Sequence, residues 1–532
     1  MPPCSLKSHN TSYGPGNPAS LQLQQYAANS TVIGNFTTSN GAPVYDILNT
    51  ETAGEFGPVV LQDYTFLDEI QHFDRERVPE RVVCAKGAGA FGYFTSTNDF
   101  SNYTQATIFT TVGKRTPLAA RMCRFSGQTG SPDTVRDLRG FSLKFYTDQG
   151  NWDLVGSSFA SFWLRDPLRF TSLMHASMRN PTTNLYDPTM FWDFIGNSPE
   201  TANMLINIFT DRGIPLSYRT MNGYSTDVFV LSQANGSYVF AKFIWDTNQG
   251  LVNIPDSIAA QLAGTDPDFH TRDLYNNIAL GNFPSWNLSA QILTRQQLTQ
   301  FPWNPFDPTK EWPVRLIFRM PLGVIVLNEN PKNYFAQVEQ LAFNPASLIP
   351  GIQPSIDKVL QGRLFAYSDA QMHRLGSNYD LLPVNSPVDQ VANRQRDGQG
   401  RSGGNMGGAP NYSPNSFNGP LGGNVLFKRS PFPVTGLVES YNTTAQSNFA
   451  EASIIWAQVL TNEDRTAIVN NIAASIANIP SFLQLRNLNN FYYIGSDMAE
   501  RIAGLLNISF TPPPPVIPTL ATPIPTQLVY PI

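Results

Sequence analysis

Two periodicities divide the chain. From Val78 to about Gln249, short runs alternate apolar and polar residues, most clearly over 140–146 (GFSLKFY) and more loosely over 238–245 (YVFAKFIW). Turn signals such as Asp148-Gln-Gly150 separate these runs. A repeat of two is typical of strands with one buried face. We therefore expect a closed antiparallel β-barrel, which leaves no unpaired strand edge.

From about Ser447 the apolar spacing becomes helical. Ile468, Ile472 and Ile476 recur every four residues, and Thr461 is a suitable cap before them. A second amphipathic helix is predicted over 496–506. The Pro-dense end, TPPPPVIPTLATPIPTQLVYPI, is typical of an extended polyproline II segment.

These patterns predict five segments. Residues 1–60 are rich in Ser, Thr, Asn and Gly and are expected to form an arm that needs a partner surface. The barrel core is assigned to 61–308 and an irregular wrapping segment with one clear helix to 309–423, ending in a Gly-rich loop. The helical region follows over 424–510 and the Pro-rich tail over 511–532.

Composition restricts the class of protein. The chain is 41% hydrophobic and 14% charged with a net charge of -5, and it has no dense Lys/Arg run, which disfavours nucleic-acid or anionic-membrane partners. No long apolar stretch or secretory signal is evident, so we expect an intracellular protein, cytoplasmic or peroxisomal rather than secreted. With 3 Cys, no disulfide framework of the secreted type is expected.

One helical stripe carries candidate cofactor chemistry. Val359, Arg363 and Tyr367 follow at four-residue steps. A guanidinium one turn before a phenol favours the phenolate, and tyrosinate is a hard anionic ligand suited to ferric iron. The alternative is that Tyr367 is a packed core phenol.

The chain resembles the catalase family of the small-subunit type over roughly residues 40–510. The resemblance rests on VPERVVCAKGAGAFGYF (78–94), VRDLRGFSLKFYTDQGNWDLVG (135–156), NPFDPTKEWP (304–313), NPKNYFAQVEQLAFNP (330–345) and GRLFAY (362–367). It implies an α+β catalase fold with barrel, wrapping loop and C-terminal helical region. It also implies haem b with ferric iron, peroxide or O2 as small-molecule partner, and a homo-oligomer, either dimer or tetramer.

The resemblance also implies roles for single residues. Tyr367 would be the iron ligand and Arg363 its partner. The haem propionates would pair with Arg81, Arg121 and Arg374, and the haem faces would be lined by Val83, Phe162 and Phe170. The G-x-G-x-x-G spelling at 87–92 also fits a dinucleotide fingerprint, but no βαβ unit surrounds it.

Three positions depart from the family pattern on the distal side of the haem. Cys84 replaces the catalytic histidine, Ser157 the asparagine, and Cys123 the serine that supports the histidine. A thiol of pKa about 8.5 is poorly suited to accept and return a proton near neutrality. We expect the site to have been given another reaction, the alternative being decay to a pseudo-enzyme that only binds haem. Cys84 and Cys123 should be neighbours, as thiols in a reducing compartment or as a disulfide under oxidant flux.

The family's NADPH groove is altered as well. A carboxylate, Asp246, takes the place of a lysine that faces phosphate, so NADPH is not expected to bind. What remains would suit a zwitterionic aromatic ligand, and its members are Asn203, Asn207, Arg212, Asp246 and Trp312. The alternative is that Asp246 is a solvated surface charge.

Words such as FTTSNGAPVYD and the complete helical region are similar to the fungal catalase-like chanoclavine synthases of ergot-alkaloid biosynthesis. That resemblance implies an oxidoreductase of specialised metabolism. Its reaction would be the oxidative, decarboxylative cyclisation of prechanoclavine, an aromatic amino acid, to chanoclavine, using superoxide from haem-activated oxygen. The alternatives are a catalase or peroxidase of reduced activity and a haem carrier.

Overall fold

Eight antiparallel strands close into a barrel in the computed structural model, which describes residues 16–514 except 302, 421, 425–426, 433 and 444–446. The order around the barrel is β1-β2-β3-β4-β5-β7-β8-β9, and β9 pairs with β1 to close it, while β6 and β10 extend the sheet beside β7. The bounds are β1 Gly87–Ser96, β2 Arg115–Arg124, β3 Arg139–Thr147, β4 Gly150–Ser157, β5 Gly223–Tyr224, β6 Phe229–Ser232, β7 Tyr238–Thr247, β8 Ser285–Leu293, β9 Arg319–Glu329 and β10 Ile352–Pro354. The predicted barrel is confirmed.

The barrel interior is filled by one face of each strand. Phe141, Leu143 and Phe145 of β3 point inward, and Phe145 stacks on Trp152 of β4 at 4.9 Å between ring centroids. Because side chains alternate along a strand, the residues between them lie on the outer face. That outer face is where the wrapping segment packs.

Thirteen α-helices lie in the described part of the chain. They are α1 Pro18–Asn29, α2 Tyr64–Phe73, α3 Thr107–Thr110, α4 Phe170–Ser177, α5 Pro188–Gly196, α6 Ala202–Phe209, α7 Asp256–Thr265, α8 Phe269–Ala279, α9 Lys358–Leu375, α10 Ala450–Ile454, α11 Asn462–Ile476, α12 Ser481–Ile494 and α13 Ser496–Leu506. None of those helices is long and apolar enough to cross a membrane.

The predicted C-terminal helices are confirmed. Thr461 and Asp464 form a reciprocal capping box at the start of α11, and Ile468, Ile472 and Ile476 are buried. Helices α11 to α13 pack with α4 to α6 in a second apolar core that is separate from the barrel interior. The 496–506 helix is present as α13.

The predicted end of the barrel at residue 308 is wrong, because β9 begins at Arg319 and supplies the eighth strand. Its residues over 322–327 are apolar without alternating polar positions. The strand is paired with β1 on one side and β8 on the other, and both of its faces are partly buried. The 309–423 segment therefore carries a barrel strand as well as α9. Residues 1–15 and 515–532, including most of the Pro-rich tail, lie outside the described residues.

The N-terminal arm makes few internal contacts. Helix α1 has no buried residue, and the Ala19 amide donates to Asn276 Oδ1 of α8 at 2.8 Å. Several apolar side chains of the arm and the following residues are almost fully exposed, among them Val32, Ile33, Tyr45 and Phe56. Exposed apolar side chains of this kind are common at interaction surfaces, and the partner surface of the arm stays a prediction.

Candidate functional site

The outer face of β2, β3 and β4 forms the floor of the candidate site. Cys123 pairs with Gly140, and Gly140 pairs with Ser157, so these positions make one row across three strands. Ala119 and Arg121 lie on the same face of β2 as Cys123. The sequence gaps therefore place Ala119 and Cys123 about 13 Å apart along β2, at roughly 3.3 Å per residue.

The two distal cysteines are joined by a disulfide, with 5.1 Å between their Cα atoms. Their predicted proximity is confirmed, and of the two states left open by the sequence the structure has the disulfide. The Cys84 amide donates to the Phe125 carbonyl at 2.9 Å, and the Cys84 carbonyl accepts from Arg121 Nη1 at 2.7 Å. Both hydrogen bonds hold Cys84 against the strand that carries Cys123.

Gly140 leaves the space that the sulfur atoms occupy. A Cβ at this position would lie 2.7 Å from Cys84 Sγ and closer still to Cys123 Sγ. Any larger residue at this second position of β3 would therefore collide with the disulfide. The strand backbone and the disulfide are packed as one unit.

The third altered distal residue is tied to the backbone. Ser157 Oγ donates to the Phe159 carbonyl at 3.1 Å, so this hydroxyl is not directed at the cysteines. Val83, Phe162 and Phe170 pack beside the disulfide on the helical core, with Phe125 in edge contact with both phenyl rings. They form an apolar wall on the distal side.

Helix α9 presents the candidate iron ligand at the other end of the floor. Arg363 Nη2 donates to Tyr367 Oη at 3.2 Å and to the Val155 carbonyl of β4 at 3.1 Å. Arg363 also forms a buried ion pair with Asp227. Burial disfavours its charge, but Asp227 and Tyr367 outweigh burial, and the pKa of Arg363 lies above its ordinary value. The guanidinium is therefore a permanent cation beside the phenol.

Asp227 and Asp357 are site residues that the sequence analysis missed. Asp357 caps α9 by accepting from the amides of Val359 at 2.9 Å and Leu360 at 3.2 Å. Burial and the neighbouring Asp227 raise its pKa to about 7. Asp-Lys-Val at a helix start is a capping signal that could have located Asp357, but nothing local indicates Asp227.

Three arginines from distant parts of the chain meet at one edge of the floor. Arg81, Arg121 and Arg374 are mostly or fully buried. Burial first, and then the charges of Arg121 and Arg374, lower the pKa of Arg81. Burial lowers the pKa of Arg374 to about 10.

Their negative partner is a single carboxylate in the described part of the chain. Glu339 forms ion pairs with Arg81 and Arg374, at 3.3 and 3.4 Å, whereas Arg121 donates to the carbonyls of Cys84 and Ala85. The buried Arg121 Nε has no hydrogen-bond acceptor. Three cations against one carboxylate leave an excess of positive charge that a dianionic ligand would offset.

These features fit haem. A flat macrocycle would have a phenol backed by a cation on one face, an apolar wall with the disulfide on the other, and arginines for two carboxylates at its edge. The predicted positions of Tyr367, Arg363, the three arginines and the three wall residues are thus brought together around one floor.

In the altered groove, a chain of hydrogen bonds connects Arg212 to Asp246. Arg212 Nη2 donates to Tyr224 Oη at 3.4 Å, Asn222 Nδ2 bridges Tyr224 Oη and Asp246 Oδ1 at 3.2 and 2.8 Å, and Arg319 pairs with Asp246 Oδ2 at 2.6 Å. Asp246 therefore has two partners, although its side chain remains 35% exposed. A cavity of about 280 Å³ opens beside Asp246 and Arg319.

Other members of the predicted groove are buried elsewhere. Trp312 is 3% exposed and donates its indole N–H to the Pro305 carbonyl at 2.9 Å. Asn203 is fully buried and donates to Glu451 at 2.9 Å, and Asn207 donates to Glu311 at 3.3 Å. The structure does not bring Trp312 and Asn203 to an open surface beside Asp246. Trp312 lies in an apolar cluster with Phe301 and Phe306, and Asn203 is bound to the Thr309 carbonyl and to Glu451 of α10.

Comparison with known proteins identifies the family. The Catalase family profile matches residues 37–419. Catalase of Drosophila melanogaster is 48% identical over 495 residues, covering 92% of this chain and 98% of its own length, and catalase of Danio rerio is 49% identical over 88% of this chain and 90% of its own. A solved fungal catalase superposes with a TM-score of 0.87 at 37% identity, covering 90% of this chain and 98% of that one.

The fold and the site define a haem-type oxidoreductase architecture built on an α+β barrel. Catalase A from Saccharomyces cerevisiae has the same fold, with a TM-score of 0.83 at 35% identity over 89% of this chain and 99% of that one. The chain belongs to the catalase family. The family implies haem as cofactor and an enzyme of the oxidoreductase class.

We predict that Tyr367→Phe lowers the haem content of the purified protein by at least about tenfold. Mutation of residues that only orient a metal ligand already costs about tenfold or more in metal affinity, so loss of the ligand itself should cost at least as much. The phenyl ring keeps the packing but removes the anionic oxygen beside Arg363. Haem absorbance per protein measures the effect. Tyr146→Phe is the control, because its hydroxyl donates to the Val384 carbonyl on the same outer face. Unaltered haem binding in Tyr367→Phe would contradict the assignment.

A second prediction concerns pH. Burial, and then Glu311, raise the pKa of Glu451 to about 8. The folded chain thus keeps this proton while the unfolded chain loses it above about pH 4.3, so this group makes stability fall as pH rises from about 4.3 to 8.

The free energy of unfolding of Glu451→Gln, relative to that of the natural chain, should therefore increase by at least about 1 kcal/mol when the pH is raised from 5 to 8.5. Unfolding by denaturant at both pH values measures this difference. Glu463→Gln is the control, because its carboxyl lies exposed in the first turn of α11. Parallel pH profiles for the natural chain and Glu451→Gln would exclude the buried proton.

Proposed function

We propose that this chain is a haem-dependent oxidoreductase whose main reaction is the oxidation of an organic substrate, with peroxide dismutation only as a slow side reaction. The observation that carries the proposal is the Cys84–Cys123 disulfide at the distal position. A disulfide has no proton to accept or return. Ser157 does not replace it, since its hydroxyl is engaged with the Phe159 carbonyl.

Bound haem would supply a ferric centre able to exchange electrons with peroxide or dioxygen. The residues of the chain divide the remaining work. Tyr367 would hold the iron as an oxygen anion, because Arg363 donates to its oxygen and is kept charged by the neighbouring Asp227. Arg81, Arg121 and Arg374 would bind the propionates.

The apolar wall of Val83, Phe162 and Phe170 would exclude water from the distal face. With no distal base, cleavage of peroxide lacks the general acid and base that contribute about 10²–10⁴-fold to such steps. Oxidants that need no proton shuttle are then relatively favoured. This is the physical basis for expecting a reaction other than dismutation.

We further propose an aromatic amino-acid-like substrate bound near Arg212 and Asp246, of the kind that chanoclavine synthases cyclise. The two charges are linked through Tyr224 and Asn222 at hydrogen-bond distances. A zwitterion could offer its carboxylate to Arg212 and its ammonium to Asp246, and each charge-assisted contact contributes about 1.5–3 kcal/mol. The ammonium would share Asp246 with Arg319, using the remaining lone pairs of the carboxylate.

The second candidate is a catalase of reduced rate that consumes hydrogen peroxide. It is favoured by the 48% identity to Drosophila melanogaster catalase over 92% of the chain. The exposed apolar side chains of the arm also favour a homo-oligomer, as expected from the sequence. The two candidates differ in the rate of oxygen release from peroxide.

We predict that combining Cys84→His, Cys123→Ser and Ser157→Asn raises oxygen release from hydrogen peroxide by about 10²-fold or more, because the set restores a general acid and base. The control is the double variant Cys84→Ser with Cys123→Ser, which removes the disulfide without supplying a base and should remain slow. An oxygen electrode measures all three proteins. A natural chain that already dismutates peroxide as fast as ordinary catalases would establish the second candidate instead.

Asp246→Lys should lower turnover of a prenylated N-methyl-tryptophan by at least about tenfold, the effect of one lost charge-assisted contact, and should strengthen NADPH binding. The haem spectrum should not change. Asp148→Lys makes the same charge change at an exposed carboxylate that pairs with Lys114 and should leave both ligands unaffected. Titration with each compound and a product assay measure the effects. Full turnover in Asp246→Lys would exclude this groove as the substrate site.

A further inference from the structure

We infer that Cys84 and Cys123 are a redox-active pair that reduces peroxides at the expense of a dithiol. The inference goes beyond the proposed function and does not depend on it, because the chemistry needs sulfur and not iron. The pair would make the chain a thiol-dependent peroxidase in addition to a haem protein. Four features of the described residues support it.

Both cysteines are held so that their separation would survive reduction. Cys123 lies inside β2, where it pairs with Gly87 of β1 and Gly140 of β3. Cys84 is fixed by hydrogen bonds from its amide to Phe125 and from Arg121 to its carbonyl. The Cα separation of 5.1 Å is within the range that a disulfide spans without backbone movement. Two thiols at these positions could therefore form the bond again at once.

The backbone at Cys84 is held in an unfavourable conformation for a residue with a side chain. Its φ of 64° lies in the left-handed region. Such conformations persist where the surroundings fix them, and they are frequent at functional sites. Gly140 opposite leaves open the volume that both sulfur atoms need. The fold thus accommodates two sulfurs at one point of the floor.

The two sulfurs differ in access. Cys84 is half-buried and borders Phe162 and Val83, whereas Cys123 is 3% exposed. Arg121 lies two residues before Cys123 on the same face and donates to the Cys84 carbonyl. The thiolate is the attacking form of cysteine, and a peroxide reaches the more exposed of the two sulfurs first. Cys84 is therefore the sulfur that meets the peroxide, and Cys123 is the resolving thiol.

The chemistry balances in three steps. The Cys84 thiolate attacks one peroxide oxygen, an S–O bond forms, the O–O bond breaks, and the leaving oxygen takes the proton released by Cys84 to become water or an alcohol. The Cys123 thiol then attacks the sulfenic sulfur, so that the S–S bond forms and water leaves. A small dithiol returns both cysteines to thiols and becomes a disulfide itself. Overall, one peroxide and one dithiol give one disulfide, one water from the resolving step, and a second water or an alcohol from the leaving oxygen.

The test uses the haem-loaded, full-length protein. It is reduced with dithiothreitol, desalted without oxygen, treated with one equivalent of hydrogen peroxide, and alkylated, and peptide masses report the labelled cysteines. We expect label on both Cys84 and Cys123 before peroxide and on neither afterwards, with no oxygen released by this reaction. Cys4→Ser should behave as the natural chain does, because the third cysteine takes no part. Cys123→Ser should stop at a sulfenic acid on Cys84 that dimedone traps.

In the steady state, dithiothreitol-dependent consumption of cumene hydroperoxide should fall at least tenfold in Cys84→Ser, whose haem absorbance checks that it folds. The inference is overturned if the disulfide of the folded natural chain resists dithiothreitol, or if the reduced pair reoxidises no faster with peroxide than without it. Equal consumption of cumene hydroperoxide by Cys84→Ser and by the natural chain would also overturn the inference. Oxygen release without dithiothreitol is a separate measurement, so failure here leaves the proposed haem function to its own test.

Discussion

The guanidinium of Arg363 is the group on which the proximal half of the site depends. It pairs with Asp227, donates to the Val155 carbonyl of β4 and donates to the Tyr367 oxygen. Burying two charges is costly, and removal of one partner typically costs about 3–5 kcal/mol because the other is left unpaired. One ion pair therefore docks α9 on the barrel and orients the candidate iron ligand. Asp357 strengthens the arrangement by capping the same helix.

The edge of the site has the opposite character, since its charges are not balanced within the described chain. Arg81 and Arg374 share Glu339 as their carboxylate, whereas Arg121 has no carboxylate partner among the described residues, and repulsion from Arg121 and Arg374 contributes to the lowered pKa of Arg81. A dianionic ligand would bind the folded protein and not the unfolded one, so its binding energy adds to stability. The proximal ion pair is complete on its own, whereas the arginine cluster is completed by the cofactor.

Local patterns predicted much of this arrangement, and distant partners explain the rest. The four-residue stripe located Arg363 and Tyr367 on α9, and strand alternation located β3 and β7. Asp227 lies 136 positions from Arg363, so no spacing rule connects them. In the same way, Arg319 pairs with Asp246 across 73 positions, which turned an apparently free carboxylate into an ion pair. The barrel strand β9 was missed because its apolar residues do not alternate with polar ones.

The division of the barrel into two faces separates the residues that pack its interior from the residues on which the proposed change of reaction rests. The barrel interior and the helical core contain the bulk of the buried apolar residues, and packing constrains them. Cys123 and Ser157 lie on the outer face of β2 and β4, away from the barrel interior, and Cys84 is bonded to Cys123 there. The 48% identity to Drosophila melanogaster catalase shows the family. The proposed reaction rests instead on the outer positions, where a disulfide and an engaged hydroxyl offer no proton shuttle.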